Sequence, residues 1–149
     1  MAKRMLAFFF AVLLGCAHSS GQTGRYGLGL VVFEPTGLSG KAWLNRSKAL
    51  DAAIGWSSLP GRHLHLHADY LFYYYPFHSD SRVDFSFYLG AGGKMIFQKH
   101  NHAWFRVPLG IDFLSKKSPL NIFFEVVPSF NFTELDFLGA IGVRYTFTP

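Results

Sequence analysis

Charge is scarce in this chain. Of its 149 residues, 15% are Asp, Glu, Lys or Arg, against 50% hydrophobic and 18% aromatic. That composition excludes a disordered segment and is rich for an ordinary soluble domain. Long apolar runs are also missing. After the N-terminus no stretch reaches the about 18 apolar residues that a spanning helix takes. Cys16 is the sole cysteine, so no intramolecular disulfide can form. The net charge of +5 is scattered, with no basic stripe, so no nucleic-acid partner is expected. There is no Gly-rich phosphate loop, zinc-finger spacing or nucleophile elbow, and no internal repeat. At this length the chain is one domain. High apolarity without a helix-length run is what alternating strands produce.

The N-terminus reads as an export signal. Met1-Ala2-Lys3-Arg4 is a positive segment, Met5 to Leu14 is apolar but short, and small residues follow. A secretory signal over residues 1–19 is therefore expected, to be set aside from the fold. Two processing routes are open. Ala17-His18-Ser19 offers small residues for ordinary cleavage, whereas Leu13-Leu14-Gly15-Cys16 reads as a site for cleavage before Cys16 and lipidation of its thiol.

Eight strands are expected in the remainder, over Tyr26–Phe33, Leu38–Leu44, Ala49–Ser57, His63–Tyr75, Val83–Gly93, Ala103–Leu114, Leu120–Val127 and Leu138–Phe147. Turn residues separate them, among them Glu34-Pro35-Thr36-Gly37, Asn45-Arg46-Ser47 and Leu59-Pro60-Gly61. Pro76 and Pro128 are read as stops, and Pro108 falls inside the sixth strand, where it lacks a ladder donor. Short connections predict an antiparallel meander.

Each strand has a bulky face and a lean one. In the last, Ile141, Val143, Tyr145 and Phe147 oppose Ala140, Gly142, Arg144 and Thr146. In the fourth, Leu64, Leu66, Ala68, Tyr70 and Phe72 oppose His63, His65, His67 and Asp69. Aromatic bulk would overfill a narrow lumen, whereas glycine and small residues fit one. The bulky face is therefore expected outside, in lipid, giving an eight-stranded antiparallel up-and-down transmembrane β-barrel over residues 24–149. Lys41, Asp51, Asp69, Arg106, Asp112, Glu125 and Arg144 would then face inward, with Asp84 near the rim. Charges held there must pair, which predicts an interior network.

An even barrel puts both termini on one side, expected to be the periplasm of a Gram-negative bacterium. Tyr26, Phe72, Tyr74, Phe85, Phe113, Tyr145 and Phe147 would then form one aromatic girdle, with Trp56 and Phe105 in the other.

The chain resembles the small outer-membrane barrels of the OmpA/OmpX type over about residues 24–149. The most specific element is the C-terminal assembly signal, polar-x-Gly-x-x-aromatic-x-aromatic, in which Gly142, Tyr145 and Phe147 fill the last three fixed slots. Ala140 stands where a polar residue is usual, and Thr148-Pro149 extend past the aromatic end. Gly27-Leu28-Gly29-Leu30 and Glu34-Pro35-Thr36-Gly37-Leu38-Ser39 also look like uncharacterised small barrels of this kind. The resemblance implies outer-membrane lipid and lipopolysaccharide as surroundings and the barrel assembly machinery as partner during biogenesis. A monomer is expected, and no cofactor.

Two further sites are suggested. His63, His65 and His67 face inward at alternate positions, and His100 and His102 lie on the Lys94–His102 connection. His63, His65, His100 and His102 are thus metal candidates at the outer mouth, imidazole suiting zinc, copper or nickel. The rival readings are a polar lining and a pH-responsive mouth. Lys94, Lys99 and His100, with Arg62 nearby, would meet lipopolysaccharide phosphates from the same connection. Lipid-modifying enzymes exist among barrels of this size. The nearest string here, Phe77-His78-Ser79-Asp80-Ser81, lacks the asparagine and spacing of the deacylase motif, so no enzyme is expected. The function read from the sequence is structural or interactive without turnover, with a narrow channel or a small-ligand or metal-binding barrel as the alternative and a lipid-modifying outer-membrane enzyme third.

Overall fold

The computed structural model describes residues 25–33, 35–56, 61 and 63–149, and of 75–79 the backbone alone. The expected signal over 1–19, both cleavage routes with Cys16, and Arg62 lie outside the described residues. Among the described residues the chain is all-β, with nine strands: β1 (Tyr26–Phe33), β2 (Thr36–Asn45), β3 (Lys48–Trp56), β4 (Leu64–Ser79), β5 (Val83–Phe97), β6 (His102–Arg106), β7 (Leu109–Ser115), β8 (Leu120–Phe130) and β9 (Leu135–Phe147). Alternation is the cause. In β3 every second residue is buried and every other one exposed, as a strand with two unlike faces requires.

All pairing is antiparallel, and β1 pairs with β9, so the sheet closes on itself as a ring. The seam runs from Tyr26 opposite Phe147 to Phe33 opposite Ala140. The start of β1 and the end of β9 therefore meet at one end of the ring, here the terminal end. The connections 98–101 and 131–134, with the end of β3 and the start of β4, lie at the other, the far end.

The expected count of eight is corrected to nine, and the reason is proline. The sixth strand breaks at Val107-Pro108 into β6 and β7. The break shifts nothing. Against β5, Arg106 faces Gly92 and Leu109 faces Leu89. Against β8, Arg106 faces Ser129 and Leu109 faces Val126. Three residues separate each pair on every strand, so β6 and β7 form one stave in one register. Val107 N–H donates to Pro128 O at 2.9 Å and Gly90 N–H to Pro108 O at 2.8 Å. Pro108 and its neighbour Pro128 bring no N–H donors of their own.

Other prolines do not stop strands as expected. β8 runs through Pro128 to Phe130, and β4 runs through Pro76 to Ser79. Between Tyr74 and His78 the β4 register shifts against β5, so extra residues loop out and pairing resumes. β5 also passes the Gly92-Gly93 pair and continues to Phe97.

The large apolar side chains lie outside the ring. Leu30 is 61% exposed, Phe105 60%, Trp56 57% and Val126 56%. The inward side differs in one respect from the lean surface expected. Tyr73, Tyr88, Leu71 and Phe123 are buried inside it, with Trp43 packed against them. They fit because glycines on the next strand leave notches. Tyr88 lies over Gly110, Phe123 over Gly142 and Leu71 over Gly90, each pair in direct register.

Candidate functional site

The seven charges named from the sequence all point into the ring, between 1% and 7% exposed. Strand parity puts them there: Asp69 shares its parity with buried His65 and His67, and each of the others sits an even number of residues from an inward glycine or serine on its own strand or stave. Lys94 joins them at 4% exposed. Expected on an outer connection, it lies inside because β5 runs on to Phe97. Gly90, Gly92 and Lys94 share one parity, and that was the available signal. With Lys94 the buried set among the described residues is balanced, four cations against four anions.

Two clusters organise the middle of the ring. In the first, Lys41 Nζ on β2 lies 2.9 Å from Asp112 Oδ2 on β7, and Tyr73 Oη on β4 donates to the same oxygen. Asn121 Nδ2 on β8 donates to Asp112 Oδ1 at 2.8 Å. Asn121 Oδ1 in turn accepts from Arg144 Nη1 at 3.3 Å. Arg144 on β9 donates through Nη2 to Asp51 Oδ2 on β3 at 2.7 Å and through Nε to Ser39 Oγ at 2.9 Å. Its guanidinium carbon stands 3.7 Å from the centre of the Phe123 ring. Lys41 Nζ is likewise 4.7 Å from the Tyr88 ring centre. Aromatic faces thus surround the cations where carboxylates do not.

The second cluster is built on Arg106 of β6. Its Nη2 donates to Glu125 Oε1 on β8 at 3.0 Å, and its Nε lies 3.0 Å from Asp69 Oδ1 on β4. The Asp69 contact is an ion contact without hydrogen-bond alignment, because neither atom has a hydrogen-bond partner. Tyr88 Oη closes the cluster by donating to Glu125 Oε2 at 2.7 Å. Tyr88→Phe leaves that oxygen buried without its donor, at a cost of about 1–3 kcal/mol. A lowered urea unfolding midpoint is the expected reading, and an unchanged midpoint would count against the bond.

Toward the far end, Lys94 stands 3.6 Å from Asp136 Oδ2 and 4.6 Å from the Trp104 ring centre. At the terminal end, Asp84 and Lys116 pair at 3.0 Å, both partly exposed. These groups neutralise one another and fill the interior.

The metal candidates are not brought together. His65 is buried, His63 is half-buried ahead of β4, and His100 and His102 are exposed. His65 and His102 face the same residue, Ile96, from opposite sides of β5. Among the described residues no group of three or more His, Cys, Asp or Glu is arranged to hold a metal. In the string from Phe77 to Ser81 the side chains of His78 and Ser79 lie outside the described residues.

The assembly-signal residues sit on β9. Gly142 faces inward under Phe123, and Tyr145 and Phe147 stand on the outer face. The chain matches no protein-family model, and no curated protein matches its sequence.

Proposed function

We propose that this chain is an integral β-barrel of the bacterial outer membrane, with a packed polar interior and a structural or interactive role without turnover. The observation that carries this reading is the inversion of the two faces. Arg144 and Arg106 are 1% and 2% exposed while leucines, valines and aromatics cover the outside. A soluble monomer seldom exposes a contiguous apolar patch beyond a few hundred Å², whereas a barrel in lipid needs an apolar belt on every stave. A closed ring also leaves few backbone groups without partners in hydrocarbon.

Aromatic contacts at the two ends support the same reading. Tyr26 and Phe147 stack at 6.0 Å at the terminal end, and Phe105 and Phe130 at 5.7 Å toward the far end. Under this proposal the terminal end is periplasmic, lipid surrounds the belt, and the assembly machinery handles the chain during biogenesis. Lys99 and His100, both exposed at the far end, remain to meet lipopolysaccharide phosphates, while Lys94 does not.

The test is heat-modifiability. Outer-membrane fractions run without boiling should give a compact, fast band that shifts on boiling. Recovery of the protein in the soluble periplasmic fraction would overturn the proposal. Steady single-channel steps in planar bilayers would favour the narrow channel over the packed interior.

A further inference from the structure

Between the two ion clusters lies a void of about 10 Å³, counted as the room open to the centre of a water-sized sphere. That is close to the least space one water molecule needs. One wall is apolar, formed by Val31, Ala53 and Phe123 with Ala140. The other carries charge, from Asp51, Glu125, Arg106 and Arg144, with His67 beside them.

Four buried polar atoms of these lining residues have no hydrogen-bond partner: Asp51 Oδ1, His67 Nδ1, and Nε and Nη1 of Arg106. Nε is held in ion contact with Asp69, which leaves Asp51 Oδ1, Arg106 Nη1 and His67 Nδ1. Asp51 spends its other oxygen on Arg144, and Arg106 spends Nη2 on Glu125. The chemistry of the set narrows the ligand. Two cations and two anions line the void, so neither a lone cation nor a lone anion is favoured. One atom donates, one accepts, and a neutral imidazole nitrogen does either according to its tautomer.

We infer that this void is a binding site for one water molecule, which accepts from Arg106 Nη1 and donates to Asp51 Oδ1 and His67 Nδ1. Buried waters make about three such bonds to groups otherwise unsatisfied. His67 Nε2 faces Asp69 Oδ2 at 3.9 Å, which favours the tautomer with its proton there and Nδ1 accepting. The water joins the Arg144–Asp51 cluster to the Arg106–Asp69–Glu125 cluster. The polar chain then runs unbroken from Lys41 to Tyr88. The inference rests on the interior alone and holds whatever covers the outer face.

The test is a high-resolution crystal structure of the refolded protein, together with water–methyl cross-peaks in NMR. One density peak is expected within hydrogen-bond range, about 2.7–3.2 Å, of both Asp51 Oδ1 and Arg106 Nη1. The water resonance should give cross-peaks to the methyls of Ala53 and Ala140. Ala49, packed among Leu71, Tyr73 and Tyr88, should give none. Both measurements use the unaltered chain, so no variant has to fold. An empty void without those cross-peaks, or Arg106 bonded directly to Asp51 across it, would overturn the inference.

Discussion

Replacing Gly142 with valine is expected to stop the ring from closing. A Cβ at Gly142 would overlap the Phe123 ring and stand 2.7 Å from Leu30 O on the seam strand β1. The ring cannot easily retreat, because Phe123 is 2% exposed and the Arg144 guanidinium lies on it. Overpacking of this kind costs about 1–3 kcal/mol and occasionally more. Here both a fixed ring and a backbone oxygen resist, so about 3 kcal/mol or more is expected. Against a total stability of about 5–15 kcal/mol that is a large share. The measurement is refolding of the purified, denatured chain into detergent, followed by urea unfolding. The assembly machinery is absent there, so a failure of G142V reports packing and not signal recognition. Gly139 supplies the control. It is exposed, and the nearest atom to a Cβ there is Glu125 O at 4.0 Å, so G139V should refold like the unaltered chain. The pair G142V/F123A should lose less than the sum of its single changes, as expected for residues in contact. If G142V refolds with an unchanged midpoint, the notch has no structural role.

Gly142 also illustrates what the sequence makes legible. Strand parity assigned it to the inward face, because alternation is local and two residues suffice to read it. The same logic placed Lys41, Asp51, Asp69, Arg106, Asp112, Glu125 and Arg144 inside. Parity does not say what lies opposite on the next strand. Gly92 and Gly93 look like a strand end, yet a Cβ at Gly92 would overlap Asp69 Oδ1 and Ala68 O. The glycine there makes room for a neighbour 23 positions earlier, and with the strand ended too soon Lys94 was assigned to a loop. Parity put Tyr88 inside, but Phe123 was missed for the same reason, since its notch at Gly142 belongs to the next strand. Prolines misled in the other direction. Pro128 read locally as a stop, and Pro108 as a missing donor inside one strand; in the closed ring β8 runs on through Pro128, while Pro108 parts β6 from β7 and leaves the register intact. Sequence put the four histidines near one mouth; the strands set His65 and His102 on either side of Ile96, and among the described residues no metal-holding group forms.

Arg106→Met should destabilise the protein severely through the carboxylates it leaves behind. Asp69 and Glu125 both face Arg106 at 3.0 Å and are 4% and 7% exposed. Breaking one buried ion pair from one side costs about 3–5 kcal/mol, because the remaining charge stays buried. Here two like charges remain, and Arg144, the other buried arginine among the described residues, is committed to Asp51. A loss near the top of that range, about 5 kcal/mol, is expected. The compensated chain R106M/D69N/E125Q removes both charges and keeps the acceptor that Tyr88 uses. It should recover a clear part of the loss, since no uncompensated charge remains and buried amides cost less than buried carboxylates. Urea unfolding followed by the fluorescence of Trp43, Trp56 and Trp104 reads all three chains. If the compensated chain is as unstable as R106M, the loss comes from the missing guanidinium packing. The interior would then be held by shape and not by its balance of charge.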